Sequence, residues 1–422
     1  MRPLLIFLLG MTGLFIIPGC KPKSAVVATA PVQDSVTPGE SGQTSQQPLN
    51  IARAVNDFSF SLTETLGSKY DNLVFSPYSI SSALAMTWAG ARKNTAEEMG
   101  KVLHFSGPPE NIHQAFRSLA GQLELIEEPG MTLLTVANAL WAQEDYMFLK
   151  EYTDLTAGYY NAGLNNLDFT NAASCEQSRK IINQWVGERT NYKIRELIGP
   201  GMLTPLTRLV LTNAIWFTGP WIHPFDMQNS SEGVFKVSPG MTATVTYMKQ
   251  VSGFGYYEDN DLQAVALPYQ GNDIAMLVVL PRIQKDLKQS PAGLSGRLFD
   301  QIISNLARTE VDLSFPRFKT ETEINLNQPL QAMGMQEAFN KDADFSGMTG
   351  NKDLFIDFII HKAFIDVNEK GTEAAAATGL GMALKSGYMG EPVLFTADHP
   401  FQYFIYHRES GLILFHGRFI KP

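Results

Sequence analysis

The chain has 422 residues, 44% of them apolar and 11% aromatic, enough to bury a substantial core. Its 33 basic and 42 acidic side chains give a formal charge of −9 with no basic block, which argues against a nucleic-acid partner, because such partners are held by clustered Lys and Arg. Two cysteines supply neither a disulfide framework nor a zinc ligand set.

The N-terminal stretch MRPLLIFLLGMTGLFIIPGC carries one early positive charge, Arg2, and then a short apolar run ending at small residues. That pattern reads as an export signal rather than a spanning helix. Ile17-Pro18-Gly19-Cys20 resembles the bacterial lipobox, with Pro18 a departure from its usual residues. The resemblance implies a lipoprotein signal peptide over 1–19 and a lipidated Cys20, leaving Cys175 without a disulfide partner. Lys21 after the Cys resembles the outer-membrane sorting pattern of two-membrane cells, so the expected location is a lipid-anchored form on the outer membrane or cell surface. The alternative is an ordinary signal peptide with an incidental Cys. Residues 20–49 are Pro-, Ser-, Thr- and Gln-rich and cannot support a core, so they read as a flexible tether. A folded domain is expected over 50–422.

Ile51, Val55, Phe58, Leu62 and Leu66 recur at helical spacing and predict a first helix that Gly67 stops. Residues 72–90 predict a short strand turning at Ser76-Pro77 into a buried helix. Thr95-Ala96-Glu97-Glu98 has the capping-box pattern and predicts the start of a third. Apolar runs at 131–142, 208–217, 274–281, 311–318 and 412–420 read as strands. Helical patterns come mostly early and strands mostly late, which favours a mixed α+β domain over a wound βαβ sheet. No internal repeat is visible.

No catalytic signature is present: no Gly-x-Ser-x-Gly elbow, no His-Glu-x-x-His, no phosphate loop and no dinucleotide fingerprint. The seven histidines show no metal-ligand spacing, and His407 and His416 lie beside strand residues, where a structural role is the ordinary one. An enzyme is unsupported but not excluded by these residues, and no metal or cofactor is implied.

Four separated stretches, NLVFSPYSI, NAIWFTGPWIHPF, IIHKAFIDVNEKGTEAAAAT and FTADHPFQYFIYH, together resemble the serpins in order and spacing over about residues 50–422. The resemblance implies the serpin fold, an α+β domain of three β-sheets with eight or nine helices and an exposed reactive-centre loop at about 369–392. It also implies a monomeric serine protease inhibitor acting as a suicide substrate. A protease cuts the loop, and the freed hinge enters the central sheet as a new strand, carrying the covalently attached protease with it. The implied hinge is Glu369, Gly371, Thr372, Glu373, Ala374, Ala375, Ala376, Ala377 and Thr378.

The hinge residues suit that task. In a strand, Thr372, Ala374, Ala376 and Thr378 would face the core while Glu373, Ala375 and Ala377 face outward. No charge lies on the inward set, where an unpaired one would be costly. In isolation the alanine block could equally be a helix between Thr372 and Gly379.

Counting sixteen residues from Glu369, as the resemblance implies, places the reactive bond at Lys385–Ser386. Lys385 suits a trypsin-like protease, and a slip of one residue to Leu384 would suit a chymotrypsin-like one. Gly379, Gly381, Gly387 and Gly390 make the loop unusually free, a departure that favours turnover as a substrate over trapping. Ser76, Ser79, Asn213 and His361 match the family's shutter, a buried polar latch. Trp221 and Arg317 match its breach, with Arg317 the expected partner of Glu369. The alternative is a non-inhibitory serpin serving as a surface binding protein or decoy substrate.

Overall fold

The structure, a computed structural model of the chain, describes residues 51–124, 132–160, 163–284, 287, 294–373 and 391–422. All of these belong to one unit, Pro48–Pro422. The signal peptide, Cys20, the tether and the loop segment 374–390 lie outside the described residues, as do the implied roles of Lys385, Ser386, Ala374, Ala375, Ala376, Ala377 and Thr378.

Nine α-helices occur among the described residues: α1 Ile51–Leu66, α2 Pro77–Gly90, α3 Lys93–Val102, α4 Pro109–Glu124, α5 Lys150–Tyr160, α6 Ala172–Arg189, α7 Gly296–Ser304, α8 Asn327–Ala332 and α9 Ser346–Thr349. The apolar stripe of α1 is buried along its length, and Gly67 ends it in a left-handed conformation at φ +43°. Ser76 caps α2 by accepting from Ser79 N–H, and Pro77 opens its first turn. The capping box expected at Thr95 does not form. Helix α3 begins two residues earlier, at Lys93, with no side-chain cap. Thr95 and Glu98 are drawn instead to the chain around Glu337, where Thr95 Oγ1 donates to Glu337 and Glu98 accepts from the Gln336 and Glu337 amides. Tertiary partners win over the local cap.

A central six-stranded sheet runs in the order β10-β11-β12-β4-β2-β3. Its strands are β2 Leu133–Gln143, β3 Gly163–Leu167, β4 Leu209–Pro220, β10 Phe318–Asn325, β11 Phe358–Asn368 and the two-residue β12 Gly371–Thr372. The other strands are β1 Leu73–Phe75, β5 Ser231–Ser238, β6 Met241–Glu258, β7 Leu262–Pro268, β8 Ile274–Pro281, β9 Ala307–Pro316, β13 Val393–Thr396, β14 Phe401–His407 and β15 Ile413–Phe419. These nine form one hydrogen-bonded system that β6 joins in the middle. Its early residues pair with β5, its centre with β9, and Gly255–Glu258 with β7. Divided at that shared strand, the nine become two sheets and the fold has three.

The run 311–318, expected as one strand, divides at Arg317 between β9 and β10, which belong to different sheets. Pro316, with no N–H to give a ladder, stands at the break.

The largest core lies between the inner face of the central sheet and the nine-stranded system. It joins Ile215, Phe217, Ile365 and Val367 to Phe315, Tyr403 and Phe415. A second core holds α1, α2 and α3 against the lower end of the central sheet. A third lies on the sheet's opposite face, where α6 and the segment through Ile194, Leu197, Ile198 and Leu203 pack on Ala137, Val210, Ala214, Phe358 and Ile360. This cover spans both β4 and β11.

Gly417 faces Tyr403 across β14 and β15, and a Cβ there would fall inside the fully buried Tyr403 ring. Gly417→Ala is expected to destabilise the domain by about 3 kcal/mol or to abolish folding, read from urea unfolding of the purified protein.

Candidate functional site

Strands β4 and β11 are parallel neighbours at the middle of the central sheet. They pair from Val210–Phe358 to Ile215–Ala363 and no further. Above that, Trp216, Phe217 and Thr218 on β4 have no partner on β11, nor do Phe364, Ile365 and Asp366 on β4. At the top β12 fills the space: Thr372 pairs with Val367 and Gly219, and Gly371 with Asn368 and Pro220. Among the described residues the seam is thus closed below, without β4–β11 pairing for three residues on each flank, and occupied above by Gly371 and Thr372 of the segment expected as a hinge. The Trp216 indole N–H, on the open flank, is buried without a partner.

Gly371 allows this close docking, because at φ +154° its missing Cβ would collide with the Gly219 carbonyl. Thr372 is fully buried, its hydroxyl 2.6 Å from that of Tyr269. The Tyr269 ring stacks on Trp221 at 4.5 Å and 16°. Trp221 secures the turn before β12 from two atoms, Nε1 donating to Asn368 O and the backbone N–H to Lys370 O, each at 2.9 Å.

Glu369, 3% exposed, is bound by Arg317 and accepts from Ser230 Oγ at 2.8 Å. Burial acts to raise its carboxyl, but Arg317 and Ser230 outweigh burial and hold it below the ordinary carboxylate range. Glu373 follows Thr372 at φ +49°, its N–H donating to Asp366 O at 2.8 Å. Its side chain lies opposite Thr372 and is only 6% exposed, ion-paired with Lys193 at 2.9 Å. The outward face expected for Glu373 is therefore a covered one, because Lys193 leads directly into the segment that packs across the sheet.

Ser76, Ser79, Asn213 and His361 come together beneath the closed part of the seam. His361 on β11 stands in register with Asn213 on β4. Ser76 N–H donates to His361 Nε2 at 3.1 Å, so the ring proton is on Nδ1, which donates to Asn213 Oδ1. Asn213 Nδ2 donates to Ser79 Oγ at 2.6 Å and to Asn138 Oδ1. Asn138 closes the set, its Oδ1 accepting from Ser79 Oγ and its Nδ2 donating to Ser79 O, each at 3.2 Å.

Sequence reasoning missed Asn138, which stands opposite Asn213 on the neighbouring strand β2 and whose available signal was a polar residue in the apolar run 131–142. It also missed Tyr269, Ser230 and Lys193, for which no local signal exists. Among the described residues no group of three His, Cys, Asp or Glu could hold a metal ion.

Burial holds the His361 imidazole neutral, pushing it down to about 3 from its ordinary value of 6.5. Burial likewise depresses His416 to about 3, with the Arg418 charge adding to the effect. The folded chain keeps both rings unprotonated while the unfolded chain takes up protons below about pH 6.5. The stability due to these rings is complete above that pH and is lost as pH falls towards 3. Urea midpoints are expected to drop steadily across this window, and His361→Gln should flatten the decline measurably while lowering stability at pH 7 by about 2 kcal/mol.

The family model described as Serpin (serine protease inhibitor) matches residues 53–422. The human leukocyte elastase inhibitor is 41% identical over 364 residues, covering 83% of this chain and 93% of that protein. A solved serpin of the insect Tenebrio molitor, described as highly specific, superposes with a TM-score of 0.78 at 31% identity, covering 90% of this chain and all of the other. Human thyroxine-binding globulin complexed with its ligand superposes with a TM-score of 0.79 at 28% identity, covering 88% of this chain and 98% of that one. The three-sheet fold, its seam and these likenesses lead to one conclusion: the chain belongs to the serpin family.

Proposed function

We propose that this serpin is a suicide inhibitor of trypsin-like serine proteases and not itself an enzyme. The observation that carries the reading is the seam, with Gly371–Thr372 already paired on both sides and unpaired flanks immediately below. A strand so begun has a path to continue. In the proposed reaction the protease Ser Oγ attacks the Lys385 carbonyl, the Ser386 amine leaves, and an ester links Lys385 to the protease. The released hinge then threads between β4 and β11 before water attacks the ester. A dozen residues gaining a ladder on each side, at about 1 kcal/mol net per hydrogen bond, give on the order of 10 kcal/mol. That is comparable to the stability of a domain, enough to distort an active site pulled along by the strand.

The inhibitory relative supports this reading, and its name specifies an elastase. Lys385 argues for a basic-specific target here, whereas a bond displaced to Leu384 would select a chymotrypsin-like one. In this reading Trp221 and Arg317 secure the start of the hinge, and Ser76, Ser79, Asn213 and His361 latch the seam. The second reading is a non-inhibitory binding protein or decoy. It is favoured by the glycine-rich loop and by the thyroxine complex of a relative with the same fold. The inhibitor is proposed to act as a monomer, exported and lipid-anchored through Cys20.

Mixing residues 50–422 with trypsin should give a band at the summed mass that survives denaturing electrophoresis, and a released peptide beginning at Ser386. Clean cleavage without that band would favour the decoy reading. Lys385→Ala is expected to slow trapping by about 100-fold or more, through loss of the basic side chain the protease reads. Thr372→Arg should convert trapping into turnover, because a charge would have to occupy the buried site at Tyr269. Undiminished trapping by Thr372→Arg would refute the hinge role. Membrane fractionation checks the anchor: Cys20→Ala should move the protein into the soluble fraction.

A further inference from the structure

The Glu373 side chain at the lip of the open seam is a charged group whose electrostatic needs are only half met. Glu373 Oε1 is bound by Lys193, while Oε2 is buried with no partner. The facing groups are few. Burial works to raise the Glu373 carboxyl and the nearby Asp366 charge adds to it, whereas Lys193, and more weakly Lys319, oppose them. Of the two cations only Lys193 makes an ion pair with Glu373. A buried carboxylate with a single countercharge depends on it.

The backbone around this contact is unusual in the same way. Glu373 still extends the ladder to β11, through its N–H bond to Asp366 O, yet it adopts a left-handed φ of +49° that a strand does not use. The pairing therefore extends one residue beyond β12, to the residue whose side chain Lys193 holds. Lys193 is anchored on the other side, because Ile194, Leu197 and Ile198 belong to the core that covers β4 and β11. Glu196 O in the same segment accepts from Lys362 Nζ of β11 at 3.2 Å. The cover is thus tied to both the seam and the hinge.

We infer that Lys193 is a positioning residue for strand insertion. Its ammonium is the countercharge that seats Glu373 beneath the cover and so keeps Gly371–Thr372 docked in the sheet before any protease arrives. Without it, Glu373 regains hydration by withdrawing, Thr372 leaves Tyr269, and insertion must begin from outside. The inference rests on the inhibitory reading for its kinetic consequence only: a pre-docked hinge has a shorter path to complete before water attacks the acyl-enzyme.

The test uses the full chain with Lys193→Met, which keeps an unbranched chain one atom shorter at a 42% exposed side chain, and the double variant Lys193→Met/Glu373→Met, which removes both charges. Hydrogen exchange over residues 364–373, without protease, reads the docking directly. Lys193→Met is expected to speed exchange by about ten-fold there while leaving β14 and β15 protected, and the double variant to restore protection. With trypsin, Lys193→Met should raise the number of inhibitor molecules consumed per protease trapped by about two-fold or more, with the double variant again restoring the ratio. Unchanged exchange in Lys193→Met overturns the inference. So does lost protection that the double variant fails to restore, since charge pairing would then not be the cause. A wild-type chain that traps no trypsin defeats the inhibitory reading alone, because the exchange experiment still decides whether Lys193 docks the hinge.

Discussion

The pairing of β4 with β11 is the constraint on which the other features depend. Two parallel strands at the middle of a sheet normally pair along their shared length, yet here six residue pairs form and the flanks above part around two inserted residues. The polar network beneath the closed portion supplies a reason for the limit. His361 and Asn213 face one another across the seam, and Asn213, Ser79 and Asn138 saturate one another's donors and acceptors. Parting the strands there would break the set as a unit, leaving several buried polar groups unmet at once. Above it the flanks carry Trp216, Phe217, Phe364 and Ile365, with no such latch. The seam is therefore firm at one end and yielding at the other.

Charge is distributed along the hinge to match. Glu369 has two partners, Arg317 and Ser230, that favour its ionised form. It anchors the point from which the chain turns into the sheet. Glu373, four residues on, is held by one partner with one oxygen unmet. A strongly satisfied carboxylate sits at the base of the segment, and a weakly satisfied one four residues further along it.

Much of the architecture could be read from residues alone, for identifiable reasons. Helix α1 follows from one apolar stripe and a terminal glycine, and β4, β8 and β15 from apolar runs too short for helices. The strands β5 and β6 were not legible, because they are partly exposed and their apolar residues are interrupted by Ser, Thr, Gly and Lys, so neither an apolar run nor clean alternation marks them. Strand β7, a largely buried seven-residue run LQAVALP, carried a signal that went unread. The divided run at Arg317 was legible in principle through Pro316, but nothing local says that the two halves join different sheets. At the site, the resemblance named residues that the fold brings together, while Asn138, Tyr269, Ser230 and Lys193 come from strands and loops distant in sequence. Their roles exist only through register and packing, which no local pattern encodes.

The position of β15 carries a consequence for how the chain reaches this state. It lies between β14 and β1, so Leu73–Phe75 near the start of the domain pair with His416–Arg418 at its end. Contacts so far apart in sequence place the domain among slow folders, since a very long loop must close before they form. A chain made from the N-terminus cannot complete its largest sheet until its last residues are released. Until then β1 has no partner in this sheet and β8, paired with β7 on one side, has its other edge open to other chains. Delayed completion makes partly made chains the population most at risk of mispairing.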